Sequence, residues 1–120
     1  MNQERFDNAA IHSTASNTSR FTVPSGGGGK YLIGAGFQWA ISAAGNYRQG
    51  YLYQNATTFI AYQTNQPSAT HASETTITTL YSLAAADYAE LYVKQDSGGA
   101  LNLTVAANYS PEVWVAWLRT

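Results

Sequence analysis

Between residues 30 and 41 the chain reads Lys-Tyr-Leu-Ile-Gly-Ala-Gly-Phe-Gln-Trp-Ala-Ile, and one parity holds Tyr31, Ile33, Ala35, Phe37, Trp39 and Ile41. Successive side chains of a strand point to opposite faces, so this alternation predicts a long strand with one face in a hydrophobic core. The other parity carries Lys30, Leu32, Gly34, Gly36, Gln38 and Ala40. It is poor in charge and bulk, and its two glycines let another backbone or an aromatic ring approach closely. A helix needs ten or more residues of 3.6 periodicity, and the alanine-rich run at 83–87 is too short for one.

The rest of the chain reads as further strands separated by turn residues every eight to twelve positions, the spacing of an all-β sandwich. Residues 47–54 and 58–63 form a predicted hairpin around Asn55-Ala56, a near match to the favoured Asn-Gly. After the polar loop 65–69 comes a threonine-rich segment, 74–83, suited to a half-solvated surface. Residues 88–95 alternate Ala89, Leu91 and Val93 with Tyr88, Glu90, Tyr92 and Lys94, and Asp96-Ser97-Gly98-Gly99 predicts a turn into another strand at 100–107. The last predicted strand, 112–119, runs Val113-Trp114-Val115-Ala116-Trp117-Leu118 without alternation. A strand apolar on both faces is buried on both. In a lone two-layer sandwich one face is wet, so this pattern implies that a second molecule covers it and that the domain self-associates.

Charge supports the same reading. Only 11% of the 120 residues are charged, against a usual ~25%, and 13 Thr, 10 Ser, 8 Asn and 7 Gln do most of the solvating. Nine Tyr, four Phe and three Trp argue against disorder. A net charge of −1 offers no basic footprint for nucleic acid or an anionic membrane. The chain has no run of 18 apolar residues and no signal-peptide pattern at Met1 to Phe6, which predicts a soluble chain without membrane insertion. Without cysteine it has neither disulfides nor a thiolate nucleophile.

The chemistry-bearing inventory is thin, and a non-enzymatic protein is expected. His12 and His71 show no metal-ligand spacing, and no Gly-x-Ser-x-Gly elbow occurs. Ser25-Gly26-Gly27-Gly28-Gly29-Lys30 lacks the following Ser or Thr of a phosphate loop and reads as a turn between strands. Asp7, Glu74, Asp87, Glu90, Asp96 and Glu112 suit solvated turns and surfaces better than a calcium site, although calcium stays open; no other cofactor or metal is expected. Four Asn-x-Ser/Thr triplets begin at Asn17, Asn55, Asn102 and Asn108 and carry little meaning without a secretory signal. Tyrosine is a good recognition residue. The set Tyr47, Tyr51, Tyr53, Tyr62, Tyr88 and Tyr92 therefore forms either a binding surface or cross-strand and subunit packing.

Taken in order, several short motifs resemble the head domain of the C1q and tumour-necrosis-factor superfamily. They are Gly29-Lys30-Tyr31 opening the central strand, Phe37 and Trp39 along it, and the turn Asn55-Ala56. Leu83-Ala84-Ala85-Ala86-Asp87-Tyr88-Ala89-Glu90-Leu91 is similar to the family's Leu-x-x-Gly-Asp-x-Val-x-Leu, with Ala86 and Ala89 in place of Gly and Val. Residues 113–118 resemble the closing Phe-x-Gly-x-x-Leu, with Val113 and Val115 in place of Phe and Gly. The likeness runs from Phe6 to Leu118. The opening segments at 5–8, 12–14 and 17–24, and 95–102, resemble the C1q-like modules that end bacteriophage and prophage tail proteins.

This resemblance implies one domain over residues 1–120, a ten-stranded jelly-roll β-sandwich assembled as a homotrimer. It further implies a module of a phage tail fibre or virion structural protein that binds a host-surface glycan or protein receptor, or caps the trimer. The alternatives are a purely structural trimerisation domain and a bacterial surface or secreted protein. The expected location is the virion, at the tail fibre or tip, or the cell exterior. Leu32, Gly34, Gly36, Gln38, Trp114 and Trp117 are the expected trimer contacts. Asn46, Tyr47, Asn65, Gln66, His71 and Asp96, in the loops, are the expected ligand contacts.

Overall fold

The computed structural model describes Arg5, residues 7–107 and residues 109–119; Phe6, at the start of the family likeness, and Asn108, which opens the last Asn-x-Ser/Thr triplet, fall outside them. The chain is all-β. Its strands are β1 (Arg20–Thr22), β2 (Gly29–Trp39), β3 (Arg48–Gln54), β4 (Thr58–Asn65), β5 (Ser73–Leu83), β6 (Tyr88–Gln95) and β7 (Glu112–Arg119). They form two antiparallel sheets, one in the order β1-β6-β3-β4 and one in the order β5-β2-β7.

The alternation in β2 sets the core. Tyr31, Ile33, Ala35, Phe37 and Trp39 are all buried, and they meet Leu52 and Ala89 from the four-stranded sheet, with Ile77, Leu83 and Val23 closing the sides. Burying one such aliphatic side chain stabilises the fold by roughly 1.5–3 kcal/mol. Ile41 departs from the expected pattern. β2 ends at Trp39, and beyond it Ile41 is 56% exposed because no strand remains to point it inward. The phenol of Tyr31 donates to the carbonyl of Gly27 and so ties the glycine-rich turn to the core.

The predicted hairpin forms. Asn55 and Ala56 both adopt left-handed backbone, at φ 53° and 57°, the conformation of a two-residue turn matched to strand twist. In this sheet β3 pairs with β4 and β6, which places Tyr51 opposite both Tyr62 and Tyr92. A bulge next to Leu52 and Tyr53 lets Ile60 and Ala61 both pack on the core and turns Phe59 back to the outer face opposite Tyr53.

One further expectation needs correction. The segment 100–107 makes no strand; only Leu103, opposite Trp39, and Ala106, opposite Tyr109, form isolated bridges. β7 already occupies that edge of β2 from Lys30 to Gly36, leaving Gln38 and Ala40, which bond Thr104 N at 2.7 Å and Asn102 O at 3.0 Å. The described residues therefore form seven strands where the likeness implies ten. In the single chain β7 packs on the core through Val113 and Val115, while Trp114, Trp117 and Leu118 are exposed.

Candidate functional site

Three surfaces hold the residues singled out above. The first is the loop end of the sandwich. Arg48 opens β3 with its side chain wholly buried, and its guanidinium donates to the carbonyls of Tyr47 (2.8 Å), Ala44 (2.8 Å) and Ser42 (3.2 Å). Asp96 accepts the amides of Asn46 (2.7 Å) and Tyr47 (2.9 Å) and the side-chain amide of Asn46 (3.0 Å). These bonds, led by the Tyr47 amide, hold the Asp96 carboxyl below the ordinary 3.8. Arg48 stands opposite both Asn65 and Gln95, so the loops at 40–47, 66–72 and 96–99 gather at one end. All six expected ligand residues thus lie at that end. Asn46, Asp96 and Asn65, however, spend their polar groups inside the chain, Asn65 on the Glu74 carbonyl (2.8 Å) and Thr75 hydroxyl (2.9 Å). Gln66 accepts from Ser73 through its backbone, and His71 is exposed beside the Thr70 hydroxyl. Nothing in the sequence marked Arg48 as the organiser of these loops; a lone arginine before an apolar strand looks like a solvated residue.

The second surface is the outer face of the four-stranded sheet. Tyr51, Tyr53, Phe59, Tyr62 and Tyr92 form one cluster, with ring centroids 4.9 Å apart for Tyr53 and Tyr92, 5.8 Å for Phe59 and Tyr62, and 6.0 Å for Tyr51 and Tyr62. Most neighbours meet edge to face, the preferred arrangement of aromatic pairs. Phe59, Tyr62 and Tyr92 remain 55%, 61% and 45% exposed. At one margin Glu90 is buried, accepting from Ser19 (2.8 Å), Arg20 (3.3 Å) and the Tyr92 phenol (3.3 Å). The Glu90 charge, followed by burial, pushes the Tyr92 phenol above its ordinary 10.0. Arg20 also lies 4.0 Å over the Tyr88 ring. Beside the cluster, a groove of about 430 Å³ runs between the sheets, lined by Phe59, Tyr62, Gln63, Thr76, Ile77 and Thr78 among others.

The third surface is the outer face of the three-stranded sheet. Leu32 stands between Leu80 and Ala116, and Gly34 between Thr78 and Trp114. The Trp114 indole lies flat on Gly34, where a Cβ would come within 2.2 Å of its Cε2. Leu80 is 66% exposed and Trp114 36%. Gln38 donates to Glu74 at 2.9 Å at the far end, next to a cavity of about 350 Å³ reached by Trp114, Tyr109 and Glu112. Leu32, Gly34, Gly36, Gln38 and Trp114 therefore share one face. Trp117 does not. It is three residues from Trp114 and stands opposite Tyr31, stacked on that ring at 6.4 Å, so it belongs to the other side of β7.

Among the described residues, no three His, Asp or Glu side chains are close enough to share a metal ion, and no helix is long and apolar enough to cross a membrane. Compared with known protein families, curated proteins and solved structures, the chain matches none of them.

Proposed function

We propose that this chain is a non-enzymatic, homotrimeric C1q-like jelly-roll module of a phage tail fibre or another virion structural protein, which binds a host-surface receptor or caps the trimer. The observation that carries the assembly is the outer face of the three-stranded sheet, where Leu32, Leu80 and Trp114 surround the glycines Gly34 and Gly36. Removing such surface from water is favourable, and glycines let a partner approach without side chains in the way. Sedimentation equilibrium at micromolar concentration tests it. The expected mass is three times 13.0 kDa, and Leu80→Glu, which puts a charge in the middle of the contact, reduces it to that of one chain. A wild-type particle of 13.0 kDa overturns the assembly.

A purely structural trimerisation domain is the second reading, favoured by the loop end: the side chains of Asp96, Asn46 and Asn65 bond within the chain and leave little for a ligand. A bacterial surface or secreted protein with the same assembly differs in what precedes the domain, and the upstream sequence separates it from a phage protein.

A further inference from the structure

We infer that the tyrosine-lined face of the four-stranded sheet and the groove beside it form a binding site for a neutral, extended saccharide chain, an inference that rests on the receptor-binding half of the reading above. Its chemistry differs from that of the opposite sheet. There Leu80 and Trp114 stand over Gly34 and Gly36 with Thr76 and Thr78 beside them, a face without clustered rings that suits another copy of the chain. Here five aromatic rings are contiguous over three strands, and four of them end in a hydroxyl.

A pyranose presents the same duality as tyrosine. Its C–H face packs on an aromatic ring, and its rim of hydroxyls needs donors and acceptors at the edge of the contact. The rings supply the first requirement, with Phe59 and Tyr62 standing at the lip of the groove. The groove supplies the second, through the Gln63 side chain and the unpaired backbone edges of β4 and β5 that wall it. Among the described residues, the phenols of Tyr53 and Tyr62 bond no other protein group, whereas those of Tyr51 and Tyr92 are held by Gln49 and Glu90.

Charge decides the class of sugar. No residue lining the groove is ionisable except Tyr62. The nearest carboxylate on the face, Glu90, is buried under Arg20, Ser19 and Tyr92, which engages the Arg20 cation as well. Lys94 leans toward the Tyr47 ring at the margin, 5.7 Å from its centroid. An acidic saccharide would give up water around its carboxylate and find no cation in the groove, and an unpaired desolvated charge is costly. A neutral chain loses only hydroxyl hydration, which amide and hydroxyl groups restore.

The test is titration of the intact chain with maltohexaose, chitohexaose and mannohexaose, with hexagalacturonate as the acidic probe, followed by amide chemical shifts. At least one neutral hexaose is expected to shift β3, β4 and β5 amides near Tyr51, Tyr62 and Thr76 saturably. Tyr62→Ala weakens it about tenfold or more, Tyr62→Phe keeps it within about threefold, and the acid binds at least about tenfold more weakly. Absence of shifts with all three neutral probes, equal binding of the acid, or undiminished affinity in Tyr62→Ala overturns the site. So does a fall in assembled mass on Tyr62→Ala, which would make this face a protein contact. Sedimentation of the same samples separates the two readings: an assembled chain without saccharide shifts removes this inference alone, and a saccharide-binding monomer removes the assembly alone.

Discussion

Oδ1 of Asp96 stands 3.9 Å from Nη1 of Arg48, and between them these two side chains hold the loop that joins β2 to β3. The division of labour follows from their chemistry. Arg48 has only donors and takes the carbonyls of residues 42, 44 and 47; Asp96 has only acceptors and takes the amides of residues 46 and 47. Gly45, at φ 84°, lets the loop turn against Asp96, where a Cβ would come within 2.5 Å of the Asp96 carbonyl oxygen.

Replacing Arg48 with Met keeps an unbranched buried stem and removes every donor. The expected cost is about 2–3 kcal/mol, since bonds to a charged group are the stronger kind, read as a lower urea midpoint. Hydrogen exchange should quicken at Asn46 and Tyr47. Arg48→Lys should recover little of this, because one ammonium cannot follow three carbonyls set around a planar fork. Full stability in Arg48→Met would show that the loop holds itself.

Acid should weaken the fold, with a sign set by three aspartates. Asn55, then the Ala84 amide, and also Gln54, hold Asp87 below 3.8 against burial, and the Tyr47 amide leads in lowering Asp96. Burial pulls Asp7 upward, but the amides of His12, Ile11, Ala9 and Ala10 more than offset it. Carboxyls with a lowered pKa in the fold contribute stability that is complete above their unfolded value and disappears as pH falls through the folded one. The urea midpoint should therefore stay level down to about pH 5 and decline below about pH 4. Asp87→Ala should show a lower midpoint at neutral pH and a shallower acid decline. A wild-type midpoint unchanged at about pH 3 would contradict this account.

Three alanines carry backbone that favours glycine, Ala10 at φ 51°, Ala56 at φ 57° and Ala86 at φ 71°, and the last two sit in turns between strands. Left-handed backbone costs a residue with a Cβ roughly 1 kcal/mol, and glycine gives part of that back through its freer unfolded chain. Ala56→Gly and Ala86→Gly should each raise stability by about 0.5 kcal/mol, seen as a higher Tm in calorimetry. A lower Tm in both would mean that the turns are set by their flanking contacts.

Gly34 is the floor beneath Trp114, and a methyl there meets the indole rather than backbone. Because Trp114 is partly exposed, the ring can swing away, so Gly34→Ala should fold with a loss of about 1 kcal/mol or less. The displaced indole should shift the tryptophan fluorescence, and the roughened face should weaken self-association several-fold. Unchanged fluorescence would show that the ring does not rest on Gly34 in solution.

The strands of this chain were legible one at a time. Alternation from Tyr31 to Trp39 is a local property that holds for any strand with one dry face, and the left-handed pair Asn55 and Ala56 makes a turn from its own two residues. Pairing is not local. Leu101, Leu103 and Val105 alternate as well as many real strands, yet 100–107 forms none, because β7 had taken most of the β2 edge they would need. In the same way alternation separates Trp114 from Trp117, three residues on, but only the register against Gly34 and Tyr31 decides which of them stands on the outer face. The five-ring cluster likewise joins the β3–β4 hairpin to Tyr92 of β6, which follows only after β5 in the other sheet. Composition and periodicity thus determined the all-β class, the β3–β4 hairpin and the inward face of β2 from Tyr31 to Trp39. The order of the strands, the buried Arg48 and the joining of tyrosines into one surface were decided by tertiary structure, since hydrogen-bonded edges are limited and each one occupied closes it to the next.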